Sequence, residues 1–382
     1  MKKILFVSHD ASRTGAPITF LTFINWFKNN SEIEFDILLL NGGNLFDQFS
    51  SLAPTYTHDK TIFNHIIIKK LYKKLTKKER KYKLPKKLRS KKYNLIYINT
   101  CVSISIINEL KLTYNCPVIC HIHENSYSLK AYYNEIMKKS NLAQVDHFIA
   151  ASESTKSNLI ESYNIEAEKI SLVYESISLE KMRKPNELKA NVLNELGLSG
   201  AFIIGGCGLQ SWRKGIDLFV QLGAVLNKID PNNNIKLLWV GNLNDEFMTQ
   251  FEYECKRLGI EDKIIFTGEK KDPQNYFQVF DVFALTSRED PFPLVVLEVA
   301  AQQKPILFFE QSGGIGEQFI NNESGFVVKY GDVYEMAQTV LRLQKNYSEL
   351  TKVGTAGESL VQKFDVSQKG PELLSIVELY IS

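Results

Sequence analysis

The sequence predicts an α/β protein built on two parallel sheets, one in each half of the chain. Three observations carry this. Short runs of β-branched and aliphatic residues recur along all 382 residues. Most runs are continuously apolar instead of alternating in polarity, as strands covered on both faces of a parallel sheet must be. Helical patterns separate them, which implies right-handed βαβ units. This length suggests two domains, and a 44% hydrophobic content is ordinary for a soluble protein with sizeable cores.

The runs fall into two series. Strands are expected at 4–8, 35–40, 95–99, 118–123, 147–151 and 170–174, then at 202–207, 236–240, 264–267, 282–285, 306–309 and 325–328. Each series predicts a Rossmann-like domain, and the two are expected to face a cleft. The boundary is expected between Ser176 and Gly200, where Pro185, Asn186, Gly197 and Gly200 punctuate the chain. That gives an N-terminal domain over 1–185 and a C-terminal domain over 186–364. Residues 365–382 are expected to add a helix after Gly370 and Pro371 that packs back on the N-terminal domain.

Composition excludes several classes. The apolar run from Ile4 to Val7 is too short for a signal-peptide core, and no run is long enough to span a bilayer, so a cytoplasmic protein is expected. Cys101, Cys116, Cys120, Cys207 and Cys255 form no CxxC pair; reduced thiols are expected and no metal site. No HExxH, Walker-lysine or nucleophile-elbow pattern occurs, which leaves metalloprotease and hydrolase readings unsupported. The net charge of +3 hides an asymmetry: residues 69–92 hold fourteen Lys or Arg against the single acid Glu79, so that segment is +13 and the remainder −10. The overall charge therefore does not point to nucleic acid. Ile68, just ahead of it, and Leu71, Tyr72 and Leu75 within it lie at helical spacing. A basic amphipathic helix of this kind suits an anionic membrane or a lipid-linked acceptor, with Lys73, Lys74, Lys77 and Lys78 as the contacting charges. The plain alternative is a solvated lysine-rich face.

The candidate sites follow the strands in order. After the first strand come Ser8-His9-Asp10-Ala11-Ser12-Arg13-Thr14-Gly15-Ala16-Pro17 and a helix with Ile18, Leu21, Ile24 and Phe27 on one face. Thr14 suits the N-cap, Pro17 the first turn, and Gly15 admits a ligand close to the backbone. Loops at the carboxyl ends of strands are where ligands bind in such domains; Arg13 and Thr14 are the acceptor-side candidates here, against a plain capped turn. In Cys120-His121-Ile122-His123-Glu124, His121 is expected to be structural and on the opposite face from His123, which stands at the strand end as a possible partner for a hydroxyl or phosphate. In the second series, Gly208-Leu209-Gln210-Ser211-Trp212-Arg213-Lys214-Gly215 puts a forked and a point cation at a strand-to-helix turn, a pair suited to a diphosphate. The stretch from Thr286 to Glu298 reads as a strand end, an acidic turn and a helix start, with Pro293 at the first helical position and the amides near Leu294, Val295 and Val296 open to an anion. Gly313-Gly314-Ile315-Gly316 reads mainly as a flexible turn.

In this order the pieces resemble glycosyltransferase family 4, retaining enzymes of the GT-B fold, over nearly the whole chain. The resemblance rests on Thr14-Gly15-Ala16-Pro17, His123-Glu124, Trp212-Arg213-Lys214-Gly215 and the acidic motif ending at Glu298. It implies a transferase that moves a sugar from a UDP- or GDP-linked donor to a glycan or lipid-linked acceptor in surface polysaccharide or glycolipid synthesis. That co-substrate apart, no cofactor or metal is implied. His123, Arg213, Lys214 and Asp290 would be catalytic, with no covalent nucleophile. Gly15, Phe292, Leu294, Val295 and Glu298 would bind the donor, Glu298 through the ribose, with Glu269 and Lys270 beside the base. The chain departs from the family in having Asp290, preceded by Glu289, where Glu is usual, and Leu209 where an Arg often follows the glycine; Arg213 would supply that cation. The alternatives are a GT-B sugar-nucleotide epimerase and a non-catalytic partner subunit. A peripheral place on the inner membrane face would follow if 69–92 docks there.

Overall fold

Thirteen strands lie in two all-parallel sheets in the computed structural model, which describes residues 2–57, 84–182, 186–321 and 323–381. The first sheet holds β1 (Lys3–Ser8), β2 (Glu34–Leu39), β3 (Thr55–Thr57), β4 (Leu95–Asn99), β5 (Val118–Ile122), β6 (His147–Ala150) and β7 (Ile170–Leu172), in the order β3-β2-β1-β4-β5-β6-β7. The second holds β8 (Phe202–Cys207), β9 (Ile235–Val240), β10 (Ile264–Phe266), β11 (Val282–Leu285), β12 (Ile306–Phe309) and β13 (Phe326–Val328), in the order β10-β9-β8-β11-β12-β13. Both are doubly wound, and the strand order reverses between β1 and β4 in one and between β8 and β11 in the other. Every predicted strand is present. β3 went unforeseen because Thr-Tyr-Thr offers no apolar run and an edge strand needs only one neighbour.

Continuous burial explains the continuous apolar runs. In β1, Ile4 and Phe6 enter one core while Leu5 and Val7 enter the core on the other face. The helix Gly15–Asn30 covers the first of these. Its buried stripe is Phe20, Phe23, Ile24 and Phe27, spaced i, i+3, i+4 and i+7. The Phe20, Phe23 and Phe27 rings meet Phe6 edge-on at 5.7, 6.2 and 5.4 Å between centroids. Ile18 and Leu21, expected on this face, are only partly buried, because the aromatic stripe takes the position over the sheet.

Contacts divide the chain into two units, 1–174 with 369–382, and 175–368. The division falls before Pro185 and Asn186. The last helix, Val366–Tyr380, starts ahead of Gly370 and Pro371 and carries Pro371 inside it. Asp365 starts it: the Ser367 amide donates to Asp365 Oδ1 at 2.8 Å. Leu373, Ile376, Val377 and Ile381 then join the first unit's core, which outweighs the amide that proline lacks.

The predicted membrane lysines Lys73, Lys74, Lys77 and Lys78 lie outside the described residues. The end of the basic segment is anchored inward. Lys91 donates to the buried Asp36 at 2.7 Å and to the Tyr56 hydroxyl at 2.7 Å, and the Tyr93 hydroxyl donates to the same carboxylate at 2.6 Å. Burial raises the Asp36 carboxyl, and Lys91, Tyr93 and Lys3 together bring it below the usual range. No helix among the described residues is long and apolar enough to cross a membrane.

Candidate functional site

In the second unit the loops after β8 and β11 meet at the point where strand order reverses, and they are laced together. The Arg288 amide donates to the Arg213 carbonyl at 2.7 Å, and Thr286 Oγ1 to the Lys214 carbonyl at 3.3 Å. The Arg288 guanidinium donates to the Trp212 carbonyl at 2.7 Å and grips both oxygens of Asp217 at 2.9 and 2.6 Å. It also lies over the Trp212 ring, 4.9 Å from its centroid. Gly215 joins the short Trp212–Lys214 turn to the helix Ile216–Ile229 with φ +63°, and a Cβ there would stand 2.0 Å from the Thr286 carbonyl oxygen.

That lacing presents two cations to one buried acid. Lys214 Nζ stands 2.5 Å from Asp290 Oδ2 and Arg213 Nη1 3.1 Å from Oδ1, while Arg213 also donates to the Glu289 carbonyl at 2.8 Å. Ser287 Oγ donates to Oδ2 at 3.3 Å. Burial alone raises the Asp290 carboxyl, but Lys214 and Arg213 more than reverse it, so Asp290 stays ionised below the usual carboxylate range.

The glycine turn expected to be flexible is pinned here. The Asp290 amide donates to Ser312 O at 2.7 Å and the Gly314 amide to Pro291 O at 2.8 Å. A Cβ on Gly313, φ +139°, would lie 1.8 Å from the Asp290 carbonyl oxygen. Pro293 is the N-cap and not the first helical residue: its ψ of 115° is extended, and the helix runs Leu294–Ala300. The Val296 amide already donates to Pro293 O at 3.0 Å, so the amides ahead of the helix's own bonds are those of Leu294 and Val295. The Phe292 side chain is buried, its ring 5.1 Å from that of Phe364, so Phe292 offers a ligand its backbone and not its ring.

Glu298 stands further along this helix. Burial pushes its carboxyl up to about 7, against an opposing hydrogen bond from Gln274. The Cys207 thiol at the end of β8 is raised to about 12 by burial first and by Glu298 next, with Lys214 pulling the other way; the three groups share one neighbourhood. Gln274 opens the short helix Gln274–Phe277, and Lys270 lies over its Tyr276 ring at 5.0 Å. Lys270 is thus beside the helix that reaches Glu298, whereas Glu269 is exposed.

The first unit gathers a polar cluster at its own reversal point. Thr14 has the extended backbone of an N-cap, yet its hydroxyl bonds Ser12 Oγ at 2.9 Å instead of a helix amide. Ser12 in turn donates to Asp10 Oδ1 from both N and Oγ, at 3.0 and 2.9 Å. Arg13 is half-buried and Gly15 exposed on the same loop. His9 bonds Thr100 Oγ1 through Nδ1 at 3.3 Å, and burial lowers its pKa. Thr100, β-branched, holds φ +70°, a strained conformation of the kind that collects at functional sites. The turn is held by Glu124, whose Oε2 accepts from the Cys101 and His123 amides, each at 3.2 Å. His123 Nε2 lies 2.7 Å from Asn99 Oδ1, and Asn99 Nδ2 donates to the Ala16 carbonyl at 3.3 Å.

His121 and His123 do not point to opposite faces. Residues two apart in a strand share a face, and the two rings lie against each other, tilted by 35°, with centroids 4.1 Å apart. His121 is buried, as a structural residue would be, with Nδ1 2.8 Å from the Tyr97 hydroxyl; burial holds its pKa well below the ordinary value. Asn99, His9 and Asp10 were missed as candidates. The rule that singled out His123, position at a strand's carboxyl end, applies equally to Asn99 at the end of β4. Arg288, inside the stretch from Thr286 to Glu298, carries no role in the sequence reading, since nothing local links it to Asp217.

Comparison with known proteins decides the family. Residues 200–359 match the family described as Glycosyl transferases group 1, and residues 33–181 match Glycosyltransferase Family 4. The chain belongs to glycosyltransferase family 4. Among curated relatives, the capsular polysaccharide biosynthesis glycosyltransferase CapM of Staphylococcus aureus is 26% identical over 251 residues, 64% of this chain and 65% of that protein. The D-inositol 3-phosphate glycosyltransferase of Nocardia farcinica is 25% identical over 227 residues, 58% of this chain and 49% of that one. The family-4 chain therefore spans less than two thirds of the length of these relatives in matched sequence. A solved structure of Anabaena HepE in complex with UDP and glucose superposes with a TM-score of 0.82 at 18% identity, covering 99% of this chain and 100% of that one. That likeness establishes the GT-B fold for the family-4 chain.

Proposed function

We propose that this protein transfers a sugar, with retention of configuration, from a nucleoside-diphosphate sugar to a glycan or lipid-linked acceptor in surface polysaccharide or glycolipid assembly. The observation that carries the reading is the Arg213–Asp290–Lys214 cluster at the reversal point of the second sheet, with Glu298 beside it. A leaving nucleoside diphosphate gathers negative charge on its phosphates as the anomeric bond breaks. Two cations fixed by surrounding hydrogen bonds stabilise that charge with little reorganisation. Glu298, as a carboxylate, accepts hydrogen bonds from the two ribose hydroxyls. Asp290 receives hydroxyls of the transferred sugar and holds both cations in place. Its burial between them supports Asp290 over Glu289 in this role, because Glu289 contributes its carbonyl. Lys270, and Glu269 next to it, sit where a base would lie. In the first unit, Arg13 and Thr14 serve the acceptor, Gly15 the donor diphosphate or the acceptor, and His123 the transferred sugar. HepE was solved with UDP, and CapM is a capsular polysaccharide enzyme; both relatives point the same way.

The test is a thermal-shift screen against UDP-, GDP- and dTDP-sugars, followed by nucleotide-release assays with the stabilising donor. One donor class is expected to raise the melting temperature. Lys214→Ala is expected to slow nucleotide release by about 10²–10³-fold, the usual cost of removing one charge-stabilising group. No stabilisation by any nucleotide sugar, or full turnover in Lys214→Ala and Glu298→Ala, would sink the reading. Conversion of the donor to an epimer with no acceptor present would replace it.

A further inference from the structure

We propose that Asn99 is a positioning residue that fixes His123 in the tautomer carrying its hydrogen on Nε2. The consequence for turnover rests on the function proposed above; the tautomer itself does not. Asn99 ends β4 and is fully buried, wedged between the first-helix loop and His123. Its amide is read by two neighbours. The Ala16 carbonyl, 3.3 Å away, can only accept a hydrogen bond, so the amide nitrogen must face it. The amide oxygen then faces His123 Nε2 at 2.7 Å, and an oxygen can only accept there. His123 Nε2 must therefore be the donor. In a neutral imidazole the other nitrogen, Nδ1, carries the lone pair.

The surroundings hold this arrangement from both ends of Asn99. The His123 backbone is tied to Glu124 Oε2, which also accepts from Cys101 across the strained Thr100 turn that follows Asn99. The His123 ring lies against the buried His121 ring, itself tied to Tyr97. Neither ring is at liberty to flip and exchange its nitrogens without breaking these contacts. The sequence suggested a histidine that partners a substrate hydroxyl or phosphate. With Nε2–H committed to Asn99, that nitrogen is not the one that meets a substrate.

The experiment reads the tautomer directly. The protein labelled with 15N-histidine is examined by two-bond 1H–15N correlation, with His123→Gln identifying the resonances. In the wild type, Nε2 of His123 is expected to give a pyrrole-type signal and Nδ1 a pyridine-type signal. Asn99→Asp retains an acceptor oxygen and is expected to keep the hydrogen on Nε2. Asn99→Leu is expected to lose the pattern, with the averaged signals of a mixed tautomer, and to lower kcat/KM about tenfold while thermal melting confirms a folded chain. A pyrrole-type Nδ1 in the wild type, or an unchanged 15N pattern in Asn99→Leu, overturns the proposal. An Nε2–H tautomer lost in Asn99→Leu with no transferase activity in any form upholds it and counts against the functional reading instead.

Discussion

At the residue scale, two acids that follow β11, one in the turn and one on the helix after it, are pushed in opposite directions. Asp290 stays ionised because two cations lie on it; Glu298 is raised to about 7 because burial acts on it with only one hydrogen bond in opposition. The sign of the Glu298 effect follows from linkage. Its folded value lies above the value of 4.5 it has when unfolded, so the folded state holds more protons between pH 4.5 and about 7. Stability from this group is therefore full below pH 4.5, declines as pH rises to about 7, and stays low above that. Glu298→Gln removes the penalty. Urea unfolding is expected to show the variant gaining roughly 1–3 kcal/mol over the wild type at pH 8, where the carboxylate is buried and charged, and nothing at pH 4.5. Equal differences at both values would show that Glu298 is solvated. The retention of so costly a carboxylate agrees with a ligand that uses its charge.

At the element scale, the two loops of the second unit act as one piece because glycine lets them touch. A methyl on Gly215 would meet the Thr286 carbonyl oxygen at 2.0 Å and would also force a side chain into φ +63°. Gly331 has a similar φ of +75° with nothing within 4 Å, so alanine there meets only the backbone penalty. Gly331→Ala is expected to cost about 1 kcal/mol and Gly215→Ala at least twice that, with loss of nucleotide binding as the Arg213 and Lys214 turn moves off Asp290. Equal losses of stability in the two variants would mean that the loop contact is unimportant. This layer also marks where sequence reading ends. Buried parallel strands announce themselves as apolar runs, so both sheets were legible, as were the positions of Arg213, Lys214 and Asp290 in the turns after β8 and β11 and of Glu298 on the helix that follows. The pinning of Gly313 on Asp290, the Arg288–Asp217 grip and the Asn99–His123 bond join residues 23, 71 and 24 positions apart, and no local pattern encodes such pairings. The one-residue shift of Pro293 and the shared face of His121 and His123 are local matters of helix and strand geometry.

At the scale of the whole molecule, the chain returns to its first unit at the end. The helix Val366–Tyr380 begins among second-unit residues, and from Lys369 onward its contacts belong to the first unit. Leu373, Ile376, Val377 and Ile381 are buried in the core beside Phe6 and Phe27, Gly370 packs against the Trp26 indole, and the Tyr380 hydroxyl bonds His147 Nδ1 at 3.0 Å. At about 2 kcal/mol for each of four buried aliphatic side chains, the helix together with Ile381 just past its end contributes on the order of 8 kcal/mol as an upper bound. A typical domain has a net stability of about 5–15 kcal/mol. Ending the chain at Gln368 is therefore expected to unfold the first unit while leaving the second intact. Hydrogen exchange measured on proteolytic peptides would show β1, β2 and β4 losing protection, with β8, β9 and β11 unchanged. Protection lost equally in both sheets would show that the units fold as one cooperative body, and protection kept in β1 would show that the terminal helix is dispensable. The second unit contains the Arg213–Asp290–Lys214 cluster and Glu298 without help from the first. If it survives truncation it should still bind nucleotide, while transfer, which draws on His123, should be lost.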